Sequence, residues 1–115
     1  MSEFSLDLNE DQLQMQKWVH DFAENVIRPV APEYDEREET PWDVIQEAAN
    51  IGLYSWEAVS SWFADPTGLT MALVSEELSW GCAGIALALM GSTLGVSGIV
   101  GNGTPEPRGR GFWGR

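Results

Sequence analysis

Cys82-Ala83-Gly84-Ile85-Ala86-Leu87-Ala88-Leu89-Met90-Gly91-Ser92-Thr93-Leu94-Gly95-Val96-Ser97-Gly98-Ile99-Val100-Gly101 is a run of twenty residues without a charge. Whether it crosses a bilayer or fills a core settles what kind of protein this is. At about 1.5 Å rise per residue, a helix of that length spans roughly 30 Å, the thickness of a membrane's hydrocarbon core. Gly91 and Gly95, four apart, match the small-residue packing motif of membrane helices. Yet only twelve of the twenty side chains are apolar; five glycines, two serines and a threonine make up the rest. No Lys or Arg stands close to either end, and Arg108 and Arg110 supply only a late positive flank. A helix buried inside a water-soluble helical protein is also apolar all round. The balance goes to the buried helix, with a single membrane span as the alternative.

Upstream of the run, helix signals accumulate. Asn9 with Gln12 three residues later forms a candidate capping box. Met15, Trp18, Val19, Phe22, Ala23, Val26, Ile27 and Val30 then recur on one helical face, with Glu24 and Arg28 spaced to pair on the other. Pro29 and Pro32 should kink or stop that helix. Residues 33–40 read as a polar connection. Thr40-Pro41 opens a second helix with Trp42, Ile45, Ala48 and Ala49 facing inward and Gly52 closing it. Residues 53–65 show no steady period. Asp65-Pro66 starts a third helix over about 66–79, apolar on two sides, and the charge-free run is the fourth. No segment alternates like a strand. The expected fold is all-α, a bundle of about four to five helices.

The 115-residue chain has 18 acidic and 6 basic residues, a formal net charge of −12. Arg108, Arg110 and Arg115 lie in the last nine residues, so residues 1–107 carry three positives against 18 negatives. Such a body repels phosphate backbones, which excludes nucleic acid as a partner, and the short Arg/Gly tail does not reverse that. With one Cys and one His, there is no internal disulfide and no His- or Cys-based metal site. Met1-Ser2-Glu3-Phe4 has neither the positive start nor the apolar core of a signal peptide, so the expected compartment is the cytoplasm.

The usual catalytic motifs are missing: no dinucleotide or phosphate loop, and no nucleophile elbow. Glu76 and Glu77 point about 100° apart on a helix and cannot converge on one atom. Glu77 is expected to be solvated, His20 to be an exposed surface residue, and Cys82 to be buried and inert. Gly91 and Gly95 leave a shallow groove along the last helix, and Ala86, Leu87, Met90 and Leu94 line the same side. A neighbouring helix or an apolar ligand would fit there.

Arg28-Pro29-Val30-Ala31, Tyr34-Asp35, Pro41, Ile51-Gly52-Leu53, Ser75-Glu76-Glu77-Leu78-Ser79-Trp80-Gly81-Cys82-Ala83-Gly84 and Gly101-Asn102-Gly103-Thr104-Pro105-Glu106 follow one another in an order that resembles the N-terminal helical domain of acyl-CoA dehydrogenases. The resemblance covers about residues 8–106. It implies a flavoenzyme family that uses FAD to oxidise acyl-CoA thioesters to trans-2-enoyl products. A glutamate base takes the α-proton, and the electrons pass to an electron-transfer flavoprotein. It also implies a homo-oligomeric full-length form. By this resemblance Ala86, Leu87, Met90 and Leu94 match acyl-chain-lining positions. No catalytic or cofactor-binding residue carries over, because the family's β-domain and C-terminal helical domain, with the glutamate base, have no counterpart here. The family's Gly-Gly loop before the third helix is replaced by Ala58-Val59-Ser60-Ser61-Trp62-Phe63-Ala64-Asp65-Pro66.

After Glu106 the composition changes to Pro107-Arg108-Gly109-Arg110-Gly111-Phe112-Trp113-Gly114-Arg115, the residue types that GC-rich DNA encodes out of frame. The expectation is a domain over 1–106 and a disordered tail over 107–115, in a truncated or frameshifted dehydrogenase that is inactive alone. The alternative of another class is a helical interaction module that binds a dehydrogenase subunit or its redox partner.

Overall fold

The computed structural model describes residues 5–103, and the Gly/Arg tail lies outside them. Among the described residues the chain is helical throughout. It runs as α1 Glu10–Phe22, a π-helical turn Ala23–Ile27, α2 Ala31–Arg37, α3 Trp42–Asn50, α4 Trp56–Ala64, α5 Leu69–Gly81, α6 Ala83–Met90 and α7 Ser92–Asn102. The all-α class is as expected; the segments are shorter and more numerous.

α1 starts where its capping residues put it. Asn9 Oδ1 accepts from the Gln12 amide at 2.8 Å, and Gln12 Oε1 accepts from the Asn9 amide at 3.0 Å. Two amides that have no partner inside the helix are thereby satisfied. The stripe read from the sequence is the buried one: Val19, Phe22, Ala23 and Ile27 are in the core, and Met15, Trp18, Val26 and Val30 pack against it.

Central to the bundle is α5, which packs against α1, the π turn, α4 and α6. Its Val74 and Leu78 have no exposed surface, nor has Ile27 opposite. Burying side chains of this size contributes about 1.5–3 kcal/mol each. The approach is closest at Gly81, where a Cβ would stand 3.0 Å from Ile27 Cγ2 and 3.2 Å from Ala23 Cβ. The missing side chain is what lets α5 lie against the π turn.

Several expectations need correction. Residues 33–40 are not merely a connection: α2 runs from Ala31 to Arg37, because Pro32 falls at its first turn, where a proline costs nothing. Glu33 and Arg37 pair along it, and Glu38, at φ 54°, ends it in the left-handed conformation. Second, residues 53–65 hold α4, started by Ser55 Oγ accepting from the Ala58 amide at 3.1 Å, with Val59 and Trp62 in the core. Third, α5 begins at Leu69 rather than at residue 66. Asp65 does serve its start, but from a loop: its carboxylate accepts from the amides and hydroxyls of Thr67 and Thr70 at 2.6–2.9 Å. Those bonds hold its carboxyl well below the usual carboxylate range.

The fourth concerns the charge-free run, which is two helices and not one. Cys82, in an extended conformation, separates α6 from α5, and Gly91 separates α6 from α7. No helix among the described residues is long and apolar enough to cross a membrane. In α3 the inward residues are Val44 and Ala48, with Ile45 half-buried, whereas Trp42 and Ala49 are exposed. Gly52 does close α3, at φ +83°, a conformation that suits a residue without a Cβ.

Candidate functional site

Two sites stand out, and the sequence marked only one of them. The first is an open groove of about 450 Å³ between α5 and the α6–α7 corner. Ser75 and Ser79, one turn apart on α5, form one wall. Ala86, Leu87 and Met90 of α6 and Leu94 of α7 belong to the other, with Gly91 and Thr93 at the bend. All four expected lining residues therefore meet in one concavity, but not equally deep. Ala86 is 4% exposed and Met90 half-buried, so they make the floor. Leu87 and Leu94, at 69% and 75%, stand on the rim.

Local bonding shapes the groove. The Thr93 hydroxyl donates to the Met90 carbonyl at 2.6 Å, satisfying one of the carbonyls left free where α6 ends. The Ser75 hydroxyl donates to Met90 Sδ at 3.8 Å, tying the side chain of the floor to the α5 wall. Among the described residues no charged side chain lines it. Such a surface suits apolar rather than charged groups.

The second site is a polar cluster across the α1–α5 seam that sequence reasoning missed. His20 Nδ1 lies 2.6 Å from Glu77 Oε2, and Gln16 Nε2 donates to Glu77 Oε1 at 3.1 Å. The Glu77 side chain is only 12% exposed, so this carboxylate, expected in solvent, is largely shielded and held from two sides. His20 is likewise no free surface histidine. Its ring lies 4.5 Å from that of Trp80, and the Arg28 guanidinium covers Trp80 at 4.2 Å. Arg28 reaches there because the π turn, with its Arg28-to-Ala23 backbone bond of 2.9 Å, displaces it from Glu24, the partner its spacing predicted. Residues 57 to 61 positions apart in the chain meet here. The signal available was the place of Glu77 on the same helical side as Leu73 and Trp80.

Cys82 is half-buried rather than buried, beside Tyr34, Asp35, Glu38 and Glu39 in a concavity of about 290 Å³. Among the described residues no group of His, Cys, Asp and Glu is arranged to hold a metal.

Comparison with known proteins bears on the family. The family described as acyl-CoA dehydrogenase, N-terminal domain, matches residues 9–111. A Caenorhabditis briggsae protein named probable medium-chain specific acyl-CoA dehydrogenase 2, mitochondrial, is 33% identical over 108 residues, which is 92% of this chain and 26% of that one. Cyclohex-1-ene-1-carbonyl-CoA dehydrogenase of Geobacter metallireducens is 35% identical over 100 residues, 86% of this chain and 26% of that one. Isobutyryl-CoA dehydrogenase, mitochondrial, of Dictyostelium discoideum is 44% identical over 48 residues. The chain thus spans about a quarter of the length of the first two curated relatives. An all-helical fold built around α5, a match over residues 9–111 and these relatives agree: the chain belongs to the acyl-CoA dehydrogenase family and carries its N-terminal domain.

Proposed function

We propose that this domain supplies one side of the acyl-chain pocket of a FAD-dependent acyl-CoA dehydrogenase. Ala86 and Met90 floor the pocket, and Leu87 and Leu94 form its rim. The observation that carries this reading is the uncharged groove between α5 and the α6–α7 corner, in a chain that matches the family. In the whole enzyme the reaction is α,β-dehydrogenation of an acyl-CoA thioester, with FAD taking the hydride and an electron-transfer flavoprotein receiving the electrons. The assembly is a homo-oligomer.

In this reading most of the flavin site lies outside the described residues. None of Lys17, Arg28 and Arg37 lines the groove, the Cys82 concavity or the cleft beside Asp11 and Asp65, so these three hollows offer a pyrophosphate no cationic side chain. Two of those three hollows carry carboxylates instead. In this reading the chain on its own binds an acyl chain and performs no dehydrogenation.

Titrating the full chain with a fluorescent medium-chain acyl probe tests it. Saturable binding that acyl-CoA competes away is expected. Ala86→Trp, which fills the floor, should weaken binding about tenfold, a loss of about 1.4 kcal/mol. Leu94→Glu makes the same test at an exposed rim position without touching the core. No saturable binding, or binding indifferent to both substitutions, would remove the groove from the proposal.

The exposure of Leu87 and Leu94 favours a second reading, a module that associates with a dehydrogenase subunit or redox partner through this rim. Co-purification with an intact dehydrogenase, lost in Leu87→Glu, would support it.

A further inference from the structure

The α5 wall of the groove sets two hydroxyls, those of Ser75 and Ser79, against a floor of Ala86 and Met90. Four other hydroxyls on helices turn back on their own backbone. Ser60 donates to the Glu57 carbonyl at 3.2 Å, Ser61 to that of Ala58 at 2.7 Å, Thr93 to that of Met90 at 2.6 Å and Ser97 to that of Thr93 at 2.8 Å. Among the described residues Ser75 and Ser79 make no such bond. The Ser75 hydroxyl meets only the Met90 sulfur, at 3.8 Å, and a thioether is a weak acceptor. The Ser79 hydroxyl is exposed and left to solvent. Residues at this spacing hold their Cβ atoms about 5–6 Å apart, close enough for both hydroxyls to donate to one oxygen seated between them.

We propose that the groove prefers acyl chains that carry a neutral oxygen function, a hydroxyl or a ketone beyond the β-carbon, and that Ser75 and Ser79 read it. The inference rests on the acyl-groove reading and narrows it to a substrate class. A plain hydrocarbon laid along the α5 wall strips water from the Ser79 hydroxyl and puts no partner in its place, which is unfavourable. It also leaves Ser75 on a sulfur. An oxygen on the chain accepts from both serines, and Ser75 exchanges a weak acceptor for a strong one while Met90 stays as apolar floor. A carboxylate in the same place is disfavoured, because among the described residues no cationic side chain lines the groove to meet it. The preference is modest: a neutral hydrogen bond formed in exchange for one to water shifts affinity by about three- to tenfold.

The test sets octanoyl-CoA against a set of hydroxyoctanoyl-CoAs that differ only in where the hydroxyl stands beyond the β-carbon. Each competes with the fluorescent acyl probe for the full chain. At least one hydroxylated form should displace the probe about three- to tenfold more effectively than octanoyl-CoA. Ser75→Ala and Ser79→Ala should each shrink that advantage, and the double variant should abolish it. Octanoyl-CoA should bind the double variant at least as tightly as the parent, since its chain then covers no unpaired hydroxyl. Serines that only support the fold would weaken both ligands alike when replaced, and that result overturns the proposal. So does octanoyl-CoA competing as well as every hydroxylated form, an outcome that leaves the acyl groove itself standing. If the parent chain shows no saturable binding of the probe, the acyl-groove reading fails and takes the substrate class with it.

Discussion

The α1–α5 seam and the α6–α7 corner each present an apolar face, yet one is closed and the other open. In the seam, Val19, Phe22, Ala23 and Ile27 meet Leu73, Val74, Leu78 and Gly81, and all eight are buried. A polar clasp of Gln16, His20 and Glu77 tops the contact, and Arg28 covers Trp80 at its end. At the corner, Ile85, Ala86 and Leu89 are buried, but Leu87 and Leu94 face outward and a Cβ added at Gly95 or Gly98 would touch nothing within 4 Å. The difference is complementarity. The seam has a second face cut to the same shape, down to the absent side chain at Gly81, whereas among the described residues α7, past Gly91, packs chiefly on α6. Apolar composition creates the need for a cover; only a matched neighbour supplies one.

The sharpest way to break this contrast is to empty the seam. Leu78→Ala should lower unfolding stability by about 3–4 kcal/mol, since a fully buried leucine leaves a cavity between helices that cannot both collapse onto it. Chemical denaturation measures this, and a loss under about 1 kcal/mol would mean the seam is loosely packed. Next comes the clasp. Glu77→Ala should cost about 2 kcal/mol, because the charge-assisted bonds from His20 and Gln16 vanish together at a carboxylate largely out of solvent. A change indistinguishable from zero would make the clasp ornamental.

A smaller effect belongs to Asp65, and its sign follows from its lowered carboxyl pKa. A depressed folded-state pKa means the bonds to Thr67 and Thr70 add stability above the unfolded aspartate value near 4, which fades as the pH drops from there toward the folded value. The melting temperature of the parent should therefore exceed that of Asp65→Ala at pH 6, and the gap should shrink steadily on acidification below about pH 4. A gap unchanged down to pH 2.5 would contradict the assignment. Smallest of all, Leu94→Ala should stay within about 0.5 kcal/mol of the parent in the isolated chain. A larger loss would show that the corner is covered in solution and that the contrast is overstated.

Much of the fold was legible because its signals are local. The Asn9–Gln12 box, the stripe from Met15 to Val30 and the closing turn at Gly52 each depend on residues a few positions apart. The groove was legible for the same reason: Ala86, Leu87, Met90 and Leu94 share a side by helical spacing, and the bend at Gly91 did not separate them. Where reading failed, the cause was a distant partner or a local geometry that outweighed polarity. Residues 33–40 looked like a loop because they are charged, yet Pro32 and the Glu33–Arg37 pair made a helix of their first part. Trp42 looked like a core residue by its bulk, yet the core is met by Val44 and Ala48.

Sequence alone determined the helical class, the start of α1, the stripe that α1 buries and the side of α6 and α7 that lines the groove, since each is set by capping and by the 3.6-residue period. Tertiary structure decided what lies across from what: Glu77 under His20 and Gln16, Arg28 on Trp80, Gly81 against Ile27, Ser75 on the sulfur of Met90. Those pairings join residues tens of positions apart. Periodicity carries no information at that range, because it fixes the face a side chain takes on its own helix and leaves open which helix will meet it.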